Sequence, residues 1–241
     1  MKLSLILPTY NEAENILPLI EAIAAHAPVR PYEAIVVDDD SPDGTAELVR
    51  RHAATHPETR LLHRKGERGL TSALNAGLKA SAGEIVGWMD CDLSHPPDLL
   101  PALMAELERG ADAAIASRYV PGGRDARAGS YALQRRLSLV LLSLGQRYAH
   151  LPVKDVTSGY ILVRRALLED AGWLQGDYGE YFIAMVARLQ RRGCRFAEIP
   201  YEFKNREHGE SKTATSLGGY ARRGIKYLAM LRRARKIGAG G

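Results

Sequence analysis

Cysteine is nearly absent from this chain: its 241 residues include only Cys91 and Cys194. Two thiols make no disulfide framework, and neither belongs to a metal-ligand cluster. Both are expected as small buried hydrophobes in a reducing compartment. Long apolar runs are missing as well. The longest, Leu137 to Leu144, holds two serines and falls far short of the roughly 20 residues that span a bilayer. Met1 to Pro8 is apolar but too short for a signal peptide and runs straight into the polar Thr9-Tyr10-Asn11-Glu12. The expectation is a chain that does not cross a membrane. Aromatic stacking motifs are absent too, with 7% aromatic residues. This speaks against a nucleic-acid-binding module despite a net charge of +5. No glycine-rich phosphate loop follows the first apolar run, which counts against a nucleotidyltransferase.

What is present suits a soluble globular protein: 46% hydrophobic and 25% charged residues. The length fits one large domain, or one domain with an appendage, able to bury a substantial core. Charge is unevenly spread, with acidic residues common in the first half and Arg and Lys crowding the last forty residues.

The most informative stretch is Ile85 to Pro97, I-V-G-W-M-D-C-D-L-S-H-P-P. A short apolar run, read as a buried strand, ends in Asp90 and Asp92. In extended chain, residues i and i+2 face the same side, so both carboxylates can address one point. Like charges that close call for a cation between them, and hard oxygen ligands suit Mg2+ or Mn2+ completed by water and substrate phosphates. The plain alternative for an isolated D-x-D is a solvated turn.

Around it, strand and helix alternate. Leu3 to Leu7 reads as a strand, Glu12 to Ala27 as a helix, and Ala34 to Val37 as a strand ending in Asp38-Asp39-Asp40. A helix reaching about His52 to His56, a strand at Arg60 to His63 and a helix at Gly69 to Ala80 follow. Beyond the D-x-D come a helix at Asp98 to Arg109 and a strand at Ala113 to Ala116. The second half predicts a helix over Tyr131 to Ala149, a strand over Tyr160 to Val163 and a helix over Tyr178 to Arg192. A strand over Arg195 to Phe203 and a basic helix over Leu217 to Lys236 complete it. This is the pattern of an α/β fold: a single Rossmann-like, mostly parallel sheet flanked by helices, with a C-terminal amphipathic helix. Three polar clusters, Pro8 to Glu12, Asp38 to Asp40 and Asp90 to Ser94, fall at the carboxyl ends of strands, where such sheets bind ligands. Asp38 and Asp40 read as turn and cap residues, Asp43 as a helix N-terminal residue set against the dipole, and His95 as a packing or capping residue.

Together these stretches resemble the family 2 glycosyltransferases of GT-A fold, most closely the dolichyl- or polyprenyl-phosphate mannose synthases. The matching segments are L-P-T-Y-N-E-A-E-N (7–15), V-V-D-D-D-S-P-D-G-T (36–45), D-C-D-L-S-H-P-P (90–97), S-R-Y (117–119), T-S-G-Y (157–160) and I-P-Y-E-F-K-N-R-E-H-G-E-S-K (199–212), in order over about 200 of the 241 residues. The resemblance implies a GT-A domain over residues 1–212 and a basic amphipathic extension over 213–241. It places Pro8, Tyr10, Glu12 and Asp39 against the nucleotide of a donor sugar. Asp90 and Asp92 become metal ligands with Ser94 beside them, and Cys91 lies among the donor-binding residues. Arg118, Arg135, Arg206 and Lys212 match basic residues associated with donor and acceptor phosphates, which puts Asp92, Arg118 and Arg135 in catalytic positions. One departure stands out. Several relatives carry an aromatic-Gln-x-Glu pattern where this chain has Glu180-Tyr181-Phe182-Ile183-Ala184.

The implied activity is metal-dependent transfer of a hexose, mannose from GDP-mannose first, onto a polyprenyl or dolichyl monophosphate with inversion. Glucose from UDP-glucose, or a soluble saccharide acceptor, is the alternative. The acceptor is largely dianionic at neutral pH, since its second pKa is about 6, and needs no general base. Asp155 is left with at most a minor orienting part. In the C-terminal helix, Leu217, Ala221, Ile225 and Leu228 form an apolar stripe amid Arg222, Arg223, Lys226, Arg232, Arg233, Arg235 and Lys236. It reads as a peripheral membrane-surface element on the cytoplasmic face, or as a helix packed on the domain. The chain would work alone at the membrane or with a membrane-protein partner.

Overall fold

Alternation of apolar side chains along the first strands sets the architecture. The structure is a computed structural model that describes residues 2–30, 32–126, 143, 145–177, 179–204 and 217–239. Along β1 (Leu3–Thr9), Leu3, Leu5 and Leu7 enter one apolar cluster while Ile6 enters the other. Along β2 (Tyr32–Asp38), Ala34 and Val36 share the first cluster and Ile35 and Val37 the second. Strands buried on both faces need helices on both sides. α1 (Ile16–His26), α2 (Thr45–Ala53) and α4 (Leu100–Glu108) cover one face. α3 (Leu70–Ala80), α5 (Arg165–Ala171), α6 (Tyr181–Arg191) and α7 (Leu217–Ala239) cover the other.

The remaining strands are β3 (Thr59–His63), β4 (Ile85–Trp88), β5 (Ala113–Ser117), β7 (Ile161–Arg164) and β8 (Phe196–Pro200), with a separate ladder of β6 (Arg124–Asp125) and β9 (Glu202–Phe203). The large sheet runs β3-β2-β1-β4-β7-β5-β8. Every pair in it is parallel except those of β7, which lies antiparallel between β4 and β5. The register Leu3↔Ile85 through Ile6↔Trp88 brings the carboxyl ends of β1 and β4 to one edge.

Three sequence expectations shift. Residues 12–15 form a turn rather than the start of α1: the Glu12 carbonyl accepts the Asn15 and Ile16 N–H groups at 3.0 and 2.9 Å. The stretch expected as one strand over 195–203 divides at Tyr201, where the chain changes partner: the Tyr201 N–H still donates to the Ser117 carbonyl of β5 at 3.1 Å, while its own carbonyl accepts the Arg124 N–H of β6 at 3.0 Å. In α7 the stripe that packs is Tyr227, Met230, Leu231, Ala234 and Ile237, whereas Ile225 and Leu228 face outward. Gly179 and Gly145 allow this seating: a side chain at either would collide with Tyr227 or Leu231. The expected helix over 131–149 lies largely outside the described residues, with 145–149 helical up to its closing turn.

At the opposite edge, Glu33 on β2 clasps three other segments. It is buried, accepts Ser4 Oγ at 2.6 Å and the Ala82 N–H at 2.7 Å, and takes Arg60 Nη1 at 2.8 Å, with Lys2 Nζ 3.7 Å away. Burial alone would raise its pKa, but these donors and cations hold it below the ordinary glutamate value. The unfolded chain therefore protonates Glu33 at a higher pH than the fold does. The stabilisation is whole above about pH 5 and is lost as pH falls through the lowered value. Thermal melts between pH 5 and 3 are expected to fall more steeply for the wild type than for Glu33→Gln, and parallel slopes would refute the clasp.

Candidate active site

Three of the strands feeding the edge, β1, β2 and β4, end in loops that contain a non-glycine residue in the left-handed region. Among the described residues, the non-glycine positions with positive φ are Asn11 (55°), Asp40 (57°), Leu93 (62°) and His150 (52°). The first three lie just beyond β1, β2 and β4. A left-handed non-glycine residue is costly and persists only where its surroundings over-determine it, commonly at binding sites.

On the β1–β2 side, hydrogen bonds lock two loops together. The Asn11 N–H donates to Ser41 Oγ at 3.0 Å, the Glu12 N–H to Thr45 Oγ1 at 3.1 Å, and the Ala13 N–H to Asp43 Oδ2 at 3.0 Å. Asp38 is fully buried and holds Ser41 through both carboxylate oxygens, while Asp40 accepts the Gly66 N–H at 3.2 Å; both are turn-makers, as expected. Asp43 caps the start of α2 by accepting the Thr45 N–H at 3.1 Å. Asp39 has one oxygen on Arg64 Nε at 2.7 Å and the other on the Gly69 N–H at 2.9 Å. Arg64 Nη2 also lies 2.6 Å from Oδ1, so the carboxylate is oriented by a two-point contact with one guanidinium and a single backbone N–H on its other oxygen. Tyr10 lies under Arg68, whose guanidinium carbon is 3.9 Å from the ring centroid. Glu12 is buried, with Asn15 Nδ2 donating to it at 2.8 Å. Arg64 and Arg68 were not singled out in the sequence. The dense R-K-G-E-R-G run at 64–69, directly after a strand, was the available signal.

Continuing the β1–β4 register by two residues sets Pro8 level with Asp90. Asp92 is buried, and its Oδ1 accepts both the Ser94 N–H (3.1 Å) and the Ser94 hydroxyl (2.5 Å). Ser94, expected beside a metal, thus orients Asp92 by donating to it. Cys91 is buried in the apolar cluster with Met89 and Leu100. His95 behaves as the packing residue anticipated. It is buried against the Tyr160, Tyr201 and Phe203 rings, with centroids 5.2, 5.9 and 5.6 Å away, and its Nδ1 accepts the Asp90 N–H at 2.9 Å. Burial holds its pKa below the ordinary imidazole value, although the charges of Asp90 and Asp92 pull the other way.

Arg118 closes the far side. It is buried, with Nε and Nη2 reaching Asp155 Oδ2 and Oδ1 at 2.7 Å each, and Nη2 also donating to Thr157 Oγ1 at 2.9 Å. Burial opposes its charge, but the Asp155 carboxylate more than offsets this and raises its pKa. Asp155, given a minor part from sequence, is fully buried and is the anchor of this corner. Phe203 joins the two clusters: its ring centroid lies 5.6 Å from that of His95 and 5.2 Å from the Arg118 guanidinium carbon. Glu180 is buried at the start of α6 and accepts the Asp177 N–H at 3.2 Å. Next to it, Tyr181 OH accepts Trp88 Nε1 at 2.8 Å and ties α6 to β4. Arg135, Arg206 and Lys212 lie outside the described residues.

Among the described residues no three His, Cys, Asp or Glu side chains form a ready-made metal cage. Two aspartates offering only oxygen fit a Mg2+ or Mn2+ ion whose shell is completed by water and a bound diphosphate. The glycosyl transferase family 2 model matches residues 4–172. The chain belongs to this family.

Three curated relatives agree in kind. The chain is 36% identical over 216 residues to the dolichol-phosphate mannosyltransferase of Pyrococcus furiosus, covering 88% of this chain and 59% of that protein. It is 38% identical over 229 residues to the undecaprenyl-phosphate mannosyltransferase of Micrococcus luteus, covering 92% and 91%. It is 37% identical over 222 residues to the polyprenol monophosphomannose synthase of Mycolicibacterium smegmatis, covering 88% and 80%. The chain therefore spans well under two thirds of the Pyrococcus protein but nearly all of the Micrococcus one. Among solved structures, glucosyl-3-phosphoglycerate synthase of Mycobacterium tuberculosis, in complex with Mn2+, UDP and its product, superposes with a TM-score of 0.69 at 20% identity, covering 100% of this chain and 82% of that one. A mannosyltransferase from Pyrobaculum calidifontis in complex with GDP-Man and Mn2+ gives 0.62 at 23% identity, covering 99% and 70%. The fold is GT-A.

Removing one partner of a buried ion pair strands the other charge, at a cost of about 3–5 kcal/mol. Asp155→Ala is expected to lose that much unfolding free energy in urea, with Arg118→Met/Asp155→Leu recovering part of it. Unchanged stability in Asp155→Ala would show that the pair does not hold this corner together.

Proposed function

We propose that this chain transfers mannose from a nucleotide diphosphate sugar, GDP-mannose first, to a polyprenyl monophosphate. The observation that carries the reading is the agreement of three relatives at 36–38% identity, each named for mannosyl transfer to or synthesis on a polyprenyl-type phosphate. The edge geometry supports it. The β1 and β2 loops, with Tyr10 and the oriented Asp39, suit the nucleotide, and Asp90 and Asp92 suit a cation beside the diphosphate. Such a cation, when bound, would neutralise the charge that builds on the departing diphosphate. Ser94 aims the Asp92 carboxylate, and His95 fixes the Asp90 backbone from within an aromatic box. Arg135, Arg206 and Lys212 would supply further positive charge to the phosphates. The acceptor phosphate is its own nucleophile, so no side chain has to take a proton, and in-line attack inverts the anomeric carbon.

Access to a lipid acceptor fits the outer face of α7. No helix among the described residues is long and apolar enough to cross a membrane. Ile225 is 67% and Leu228 46% exposed, and Lys226, Arg232, Arg235 and Lys236 are exposed around them. Apolar side chains set among cations suit the headgroup region of an anionic bilayer, here its cytoplasmic face, approached peripherally by the 213–241 extension of the 1–212 catalytic domain.

The test is transfer of label from radiolabelled GDP-mannose into the lipid phase, with polyprenyl monophosphate and Mg2+ or Mn2+. Transfer is expected to vanish with EDTA, to fall on the order of a hundredfold or more in Asp92→Ala, and to fall roughly tenfold in Ser94→Ala. Transfer from UDP-glucose instead would move the sugar while keeping the site. Silence with every nucleotide sugar would sink the reading.

A further inference from the structure

Away from the edge that carries Asp90 and Asp92, arginines gather in a groove that the transfer reaction does not use. It is an open depression of about 670 Å³ between α5, α6 and α7, lined by Gly172, Gln175, Arg188, Arg191, Arg192 and Arg233, among others. None of its lining residues is acidic. Its place follows from the path of α6. Tyr181, at the start, touches Trp88 near the D-x-D loop. The Arg191–Arg192 end lies about 15 Å further along the helix, where the chain turns back to the first residues of β8 and β5.

The bland account of these side chains is that they neutralise helix carboxyl ends, and it holds for part of Arg188 and for Arg192, whose Nη2 donates to the Asp170 carbonyl in the last turn of α5. Arg188 Nε donates to the Ala184 carbonyl at 3.2 Å, and Nη1 to the Trp173 carbonyl at 3.1 Å beyond the end of α5. It leaves two observations unexplained. Among the described residues, Arg188 Nη2 is buried and has no hydrogen-bond partner, which is rare for a charged donor. The groove also concentrates like charge: burial, then the neighbouring Arg233 and Arg192, push the Arg188 guanidinium below its ordinary pKa. Arg192 pairs with Asp170, which lies outside the lining and is 70% exposed, and Arg233 Nη2 donates to Gln175 Oε1 at 2.9 Å. A compact dianion in the groove would relieve the repulsion, and planar guanidinium forks match phosphate oxygens.

We propose that this groove is a second anion site, distinct from the sugar-transfer site, that takes the phosphate group of a small ligand through Arg188, Arg192 and Arg233. The phosphate belongs either to a soluble compound or to a lipid headgroup, since the groove opens beside α7.

The probes are pyrophosphate in calorimetric titration with EDTA present, and sedimentation with vesicles of phosphatidylcholine alone or with phosphatidic acid. Because Arg188→Met would uncap α5, the variants are Arg192→Gln and Arg233→Gln at exposed positions, checked by thermal melts. Arg109→Gln, exposed at the end of α4 on the other face of the sheet, serves as a charge-matched control. Saturable pyrophosphate binding that weakens roughly tenfold in each groove variant and persists in Asp92→Ala supports the site with a soluble ligand. No pyrophosphate binding, but a phosphatidic acid preference lost in the groove variants and kept in the control, supports it with a headgroup. The proposal is overturned if pyrophosphate binding disappears in Asp92→Ala and survives in the groove variants. It is equally overturned if neither probe distinguishes those variants from the wild type.

Discussion

A guanidinium cannot remain charged inside a protein without a carboxylate to meet it, and the Arg118–Asp155 pair answers that constraint for the whole reactive edge. Asp155 takes Nε and Nη2 at 2.7 Å each and the Arg118 N–H at 3.0 Å, so it fixes both the side chain and the backbone leaving β5. Its own N–H donates to Glu198 on β8 at 3.0 Å. One buried pair thereby pins β5, the turn before β7 and β8. The aromatic box around His95 is built from that turn and from the segment after β8, and His95 in turn holds the Asp90 N–H. The geometry of the D-x-D loop depends on an interaction several strands away in sequence.

The nucleotide side is built on a different principle. There the loops after β1 and β2 are interlocked by backbone donors and short side-chain acceptors, and the left-handed Asn11 and Asp40 turn the chain sharply enough for this to happen. Arg64 and Gly69, from beyond β3, hold Asp39. Two rigid half-sites, one polar and interlocked, the other clamped by a buried ion pair, face each other across the β1–β4 boundary. That boundary lies where open α/β sheets place their ligands.

The C-terminal helix serves several surfaces at once. Its packed stripe seats against α6 and, by close approach, against Gly145 and Gly179, its outward face shows Ile225 and Leu228 among cations, and its third face adds Arg233 to the arginine groove. A helix with basic residues on more than one side cannot be assigned a role from its charge alone. Burial is what separates the faces.

Much of this was legible in the sequence because it rests on local patterns. Alternating Leu and Ile in β1 required a sheet covered on both faces, and acidic clusters at strand ends located the edge. The spacing of Asp90 and Asp92, with the flanking motifs, carried the family. Asp38, Asp40, Asp43 and His95 were readable as structural residues from turn and packing chemistry. What required the tertiary structure were relations between distant segments. Asp155 looked peripheral because its partner, Arg118, stands 37 positions away. Arg64 looked like an ordinary charge until Asp39 was seen beside it. The packed stripe of α7 was misjudged because a basic helix with small residues offers more than one apolar face, and the glycines of its neighbours choose among them. Periodicity fixes which residues share a face of one element. Only packing decides which face meets which, because burial free energy belongs to pairs of surfaces and not to either alone.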